Sequence, residues 1–257
     1  MNRIITTLFA VFIIQLLVVK KTYSNEGEVK DCFEKLNRAT FALNMGLDKV
    51  IFKPISKGYR KLPSPIRTGT GNALNNLSNL ITIPNNILQG DFKSAANNSA
   101  RLIINTTLGI AGIFDPANSF GFEKREKEDF GQTLGVMGVG EGCYLVLPVL
   151  GPTTVRDTVG SLVAMNGGDI WHNVTVKDDE EYVKEFKESD YWASRVMSGV
   201  DFRAKNLEAF DAIEKNSVDL YATVRSLYLQ DRKKKINNSS DKTEAMEDGD
   251  WDTLENQ

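Results

Sequence analysis

The stretch from Asp115 to Gly160, DPANSFGFEKREKEDFGQTLGVMGVGEGCYLVLPVLGPTTVRDTVG, decides what kind of fold this chain can have. Glycine and proline break it too often for one long helix. Leu134, Val136, Met137, Val139 and the run Tyr144 to Leu147 make it too apolar for an ordinary solvated loop, so its backbone must fold against something nonpolar. A protein core and lipid both satisfy that condition.

Helices are expected on either side of the block. Phe33, Leu36, Thr40, Leu43, Leu47, Val50 and Ile51 recur at three- and four-residue steps, which predicts an amphipathic helix with Asp31 as N-cap, ending before Pro54. Leucines and isoleucines from Ile66 to Leu88, with asparagines between them, predict a second helix that Pro84 and Gly90 divide and stop. From Asp91 a third helix carries small residues, Ser94 to Ala96 and Ser99 to Ala100, that allow close backbone approach. The charged EKREKED segment is read as a short hairpin or loop, Tyr144 to Leu147 as a strand, and Thr153 as the N-cap of the helix after Gly151-Pro152. Asp178 to Lys187 reads as a charged turn of helix. Tyr191 to Leu229 reads as two helices joined near Lys215, with Ser217 capping the second. The fold class is mainly α: a single domain of amphipathic helices with Gly/Pro-rich connections and at most a short hairpin.

The ends of the chain have other jobs. Arg3 followed by the uncharged run Ile4 to Val19 reads as an export signal over 1–24, and a retained anchor is the alternative. The folded domain then covers 25–236, and the acid-rich segment 237–257 has the composition of a disordered tail. Removing 1–24 takes away Arg3, Lys20 and Lys21 and no acid, moving the formal charge from −3 to −6. A net acidic chain without a basic face argues against a nucleic-acid partner.

Catalytic chemistry finds little support. The G-V-G-E-G run at Gly138 to Gly142 precedes a strand, whereas a phosphate loop follows one and opens a helix. No G-x-S-x-G elbow occurs, and the single His172 beside Trp171 reads as a packing residue. One histidine and two cysteines supply no zinc spacing, and no metal or cofactor is expected. Cys32 and Cys143 are free to pair in an oxidising compartment, but spacing alone does not bring them within reach. Arg156 and Asp157 read either as polar lining for a headgroup path or as surface ion pairs, and adjacency on a helix does not make them pair with each other.

Several ordered passages resemble the MlaA (VacJ) family of outer-membrane phospholipid-handling proteins. They are FEKLNRATFALN (Phe33 to Asn44), LNNLSNLITIPNNILQGDF (Leu74 to Phe92), INTTLGIAGIFDPA (Ile104 to Ala117), Glu128 to Gly160 and DLYATVRSLYLQDR (Asp219 to Arg232). The resemblance implies a helical ring in the inner leaflet of the outer membrane, on its periplasmic side. It also implies an amphipathic channel, no enzymatic activity, trimeric porins as neighbours and a periplasmic carrier of the MlaC type as recipient of phospholipid. On that reading the lipid-path candidates are Phe41, Asn44, Asn79, Asn85, Leu134, Met137, Arg156 and Asp157; a soluble periplasmic lipid-binding or scaffolding module is the alternative. Two departures stand out. Val29-Lys30-Asp31 before Cys32 is no lipobox, and Cys32 and Cys143 occupy positions where the family pattern has proline, which suggests that they bridge.

Overall fold

A computed structural model describes residues 29–176 and 186–237. The segment 1–24 read as an export signal, most of the charged stretch Asp178 to Lys187 and the acidic tail lie outside the described residues.

Helix α1 is continuous: Glu34–Leu47, a π-helical turn Asp48–Phe52, then Lys53–Arg60. It does not end before Pro54. The wider turn just ahead of the proline moves the hydrogen-bond register, with the Lys53 N–H reaching the Asp48 carbonyl, and so accommodates a residue that has no N–H to give. Asp31 is not the N-cap either; Phe33 holds that position without a side-chain bond. Asp31 instead accepts from Asn37 Nδ2 at 2.7 Å and from the Tyr221 hydroxyl. Helix α2, Ser64–Leu88, likewise runs straight through Pro84. Next to the proline, Asn85 Nδ2 donates to the Ile81 carbonyl at 2.7 Å, and Gly90 with φ +79° follows the end of the helix. Helix α3, Phe92–Thr107, starts on Asp91, whose carboxylate accepts from the Ser94 N–H.

After the short α4, Pro116–Ser119, the charged segment is extended coil, and α5, Phe130–Val136, follows with Asp129 as N-cap. The hairpin lies further on. β1, Tyr144–Leu147, pairs antiparallel with β2, Gly151–Thr154, in the register Tyr144 to Thr154 and Leu147 to Gly151. Thr154, one residue later than expected, caps α6, Val155–Val163. A π turn, Ala164–Gly168, and α7, Ile170–Thr175, complete this half. The C-terminal part holds three helices rather than two: α8, Glu188–Lys205, α9, Leu207–Asn216, and α10, Leu220–Ile236. Ser217 closes α9, and the carboxylate of Asp219 caps α10.

Contacts between elements run in a closed circuit, from α1 to the hairpin, α10, α5, α6, α7, α8 and back to α1, with α2 lying against α5, α7 and α8. Two small apolar cores serve it. One joins Tyr59 to Val200 and Ala204; the other gathers Tyr144, Val146 and Tyr221 with Phe41, Tyr228 and Leu229 around them. Polar seams do the rest. Asn37 and Asn44, two turns apart on α1, stitch the free edge of β1: Asn37 exchanges bonds with the Tyr144 carbonyl and Val146 N–H, and Asn44 with the Leu147 carbonyl and Val149 N–H. Cys32 and Cys143 are joined, with Cα atoms 5.6 Å apart, at the same junction.

Candidate functional site: an asparagine-lined cavity beneath an apolar surface

In a water-soluble fold the apolar side chains go inside and polar ones cover them. Here the distribution is reversed. Among the described residues ten hydrophobic side chains are buried against twenty-two polar or charged ones, so hydrogen bonds rather than apolar packing fill most of the interior. The outside carries Leu36 at 66% exposure, Val50 at 75% and Leu150 at 79%, with Phe92, Ile103, Leu108, Val159 and Leu162 also exposed. So many large apolar side chains on the outside are the kind of surface that an interaction partner or a lipid phase would match.

The polar interior is built from helical periodicity. On α2, Asn72 stands three and four residues before Asn75 and Asn76, and Asn79 four and three after them, so all four share one face; Asn98, Arg101 and Asn105 do the same on α3. The two stripes face each other across a cavity of about 230 Å³, closed on a further side by Lys124 to Lys127. Arg101 and Asn105 fix the loop beyond α3. Arg101 Nη2 donates to Asp115 Oδ2 at 2.7 Å, Asn105 Nδ2 to Asp115 Oδ1 at 2.8 Å, and the second guanidinium nitrogen of Arg101 to the Phe122 carbonyl. Burial opposes ionisation of Asp115, but these donors outweigh it and hold the carboxyl below its usual range. The loop is strained where it turns. Ile110 and Ala111 both have positive φ, and Gly112 packs so tightly that a Cβ there would lie 2.5 Å from Asn76 Cβ.

Deeper in, amides relay between helices. Asn98 Nδ2 donates to Asn86 Oδ1 at 2.9 Å, Thr133 Oγ1 to Asn85 Oδ1 at 2.6 Å, and Gln89 Nε2 to Glu128 Oε2 at 2.9 Å. Burial pushes the Glu128 carboxyl up to about 7. A charged knot ties α10 to α5 and α6. Arg232 donates to Asp129 at 2.6 Å and to Asp157 at 2.9 Å, the Tyr228 hydroxyl donates to Asp157 at 2.6 Å, and Arg156 Nε donates to Asp157 at 3.0 Å. Burial works against the ionised form of Asp129, yet Arg232 overrides it and brings the pKa down to about 2.

The eight candidates from the sequence therefore fall in different places. Asn79 lines the cavity; Asn85 does not and is wholly buried, accepting from Thr133 Oγ1. Leu134 and Met137 are half-buried on and just beyond α5. Phe41 packs edge-on against Tyr221 with centroids 5.6 Å apart, and Asn44 holds the hairpin. Arg156 and Asp157 do pair with each other and are buried in the knot, neither exposed on a helix surface nor facing the cavity. Sequence reasoning missed Arg101, Asn105 and Asp115; an arginine in the third helix beside Leu102 and Ile103 was the available signal. His172 is buried edge-on against Tyr191, as a packing residue.

The family described as MlaA lipoprotein matches residues 29–235. The chain belongs to the MlaA family. It is similar to the intermembrane phospholipid transport system lipoprotein MlaA of Haemophilus influenzae, at 31% identity over 82% of this chain and 81% of that protein. The Escherichia coli MlaA is likewise 31% identical, over 78% of this chain and 76% of its own length. An uncharacterised protein of Rickettsia prowazekii is 34% identical over 77% of this chain and 75% of that one. A solved chain, from work on the structural basis for maintenance of bacterial outer membrane lipid asymmetry, superposes with a TM-score of 0.68 at 30% identity, covering 81% of this chain and all of that one. The MlaA match embraces every element that builds the cavity and the charged knot. No helix among the described residues is long and apolar enough to cross a membrane.

Proposed function

We propose that this chain sits in the periplasmic-side leaflet of the outer membrane and passes mislocalised phospholipid from the outer leaflet to a periplasmic carrier of the MlaC type, without covalent chemistry. Porin trimers are the expected neighbours. The reversed distribution of polarity carries the reading: an apolar exterior matches acyl chains, while an interior of amides and ion pairs offers a headgroup a path that hydrocarbon denies it. Names of the relatives, intermembrane phospholipid transport among them, agree with it. Attachment rests on the apolar face rather than on an acyl group at either cysteine. Both thiols are consumed in the disulfide, and Lys30 and Asp31 precede Cys32 where a lipobox would be small and apolar.

Deleting the chain and labelling phospholipid exposed at the cell surface tests the proposal. Outer-leaflet phospholipid should rise and return to normal on re-expression; an unchanged level refutes the transport role.

A further inference from the structure

The net charge of −3 conceals a basic face on α1, contrary to the expectation of a chain without one. From Lys49 to Lys61 the helix carries Lys49, Lys53, Lys57, Arg60 and Lys61 and no acid. Four-residue steps from Lys53 to Lys57 and on to Lys61, the C-cap, stack these side chains along one flank, and Lys49 precedes them in the π turn. Two of the five are already engaged. Lys53 Nζ lies 2.7 Å from Asp211 Oδ1 and Arg60 pairs with Glu208, so the acids that α9 brings to this flank are taken up. Lys49, Lys57 and Lys61 are exposed, and among the described residues none of the three is in an ion pair; Lys57 acts on Asp211 only from longer range.

The other sides of this half of the helix differ from that flank. Ser56 and Tyr59 are buried, and the Tyr59 hydroxyl donates to Asp201 Oδ1 at 3.1 Å, which locks the inner side to α8. Val50, Ile51 and Ile55 stand exposed among the lysines. A nucleic acid would use the charges and leave these apolar side chains in water. Neutral hydrocarbon would take the apolar side chains and deny the charges a partner. An anionic phospholipid surface takes both, because valine and isoleucine reach the acyl boundary while lysine stems extend to the phosphates. Attachment also calls for such a contact. A single weak membrane signal gives marginal, reversible binding, and with both thiols in the disulfide neither cysteine carries an acyl group.

Resting on the transport reading, we propose that the lysine flank of α1 is an anionic-lipid contact. Lys49, Lys57 and Lys61 meet anionic phospholipid headgroups of the leaflet, and Val50, Ile51 and Ile55 enter the acyl boundary beneath them. Charge and apolar area together anchor the chain.

The full chain, diluted from detergent onto preformed vesicles and floated, tests this with phosphatidylcholine alone and phosphatidylcholine mixed with phosphatidylglycerol. Partitioning in low salt should be at least about tenfold stronger on the anionic vesicles, since each lysine near such a surface contributes about fivefold and three act together. High salt should shrink the difference. Joint Lys49→Gln, Lys57→Gln and Lys61→Gln should abolish it while leaving binding to phosphatidylcholine unchanged, which reads out an intact fold. The same three changed to arginine should keep it. Joint Lys35→Gln, Lys93→Gln and Lys124→Gln remove equal charge from exposed positions elsewhere and should keep it too. Equal loss in that second set makes the preference a property of net charge and overturns the assignment. Equal binding of the wild type to both kinds of vesicle also overturns it, hands the flank to an acidic protein and spares the transport role. No binding to either vesicle refutes both.

Discussion

Single residues in this protein are held by interactions that a few changes can isolate. Arg232 faces two carboxylates, Asp129 and Asp157, from a position where its side chain is 9% exposed. Arg232→Met should cost about 1.5–3 kcal/mol, the value of bonds to a charged partner, because Asp157 keeps Arg156 and the Tyr228 hydroxyl and Asp129 is half-exposed. Thermal unfolding in detergent reads the loss, and adding Asp157→Asn should recover part of it. Glu128 makes the opposite electrostatic case. It ionises near 4.5 in an unfolded chain and near 7 in the fold, where burial disfavours its charge. Its contribution to stability is therefore complete below about pH 4.5 and is lost as the pH rises to about 7. The wild type should lose about 2–3 kcal/mol across that window, and Glu128→Gln should flatten the profile there. Asp129 and Asp157, both depressed, act lower down, where falling pH removes the stability they give.

Between elements, close approach and cross-linking matter more than apolar area. Helices α5 and α6 cross at glycines: a Cβ on Gly160 would lie 2.3 Å from the Gly131 nitrogen, a backbone atom that no rotamer change can move. Gly160→Ala should destabilise by about 1–3 kcal/mol and loosen the Arg232 knot, which spans the same two helices; slowed amide exchange at α5 in the variant would contradict that. At the other side, the disulfide joins the segment before α1 to the start of the hairpin, 111 residues along. Replacing both Cys32 and Cys143 by serine should cost about 2–4 kcal/mol, and reductant should lower the unfolding temperature of the wild type but not of the double variant. The hairpin should nonetheless stay registered, because Asn37 and Asn44 hold its edge independently.

For the whole molecule the decisive property is the number of large apolar side chains that the described residues leave on the outside. Leu36, Leu43 and Val50, spaced seven apart, give α1 an outward stripe, and Ile103, Leu108 and Leu162 extend the same character to other elements. The chain should therefore stay with the membrane pellet in high salt and at alkaline pH and leave only with detergent. Release by salt alone would favour the soluble scaffolding module. Fold class was legible because helical periodicity survives whichever side faces lipid, and the strand at Tyr144 was legible because a short apolar run lay between glycine and proline. Pro54 and Pro84 misled, since whether a proline ends a helix depends on what relieves the freed carbonyls. A π turn before Pro54 did so.

By itself the sequence determined a helical domain with a glycine-broken apolar block and asparagines set among the leucines of its second helix. These are properties of neighbours along the chain. Only the tertiary structure decided that two asparagine stripes face inward across a cavity, that Arg101 meets Asp115 while Arg232 meets Asp129 and Asp157, and that Arg156 and Asp157 are buried rather than displayed. The reason is physical: periodicity defines a face without saying which medium it meets. Partners separated by 75 or 103 residues are chosen by the closed circuit of helices rather than by local propensity.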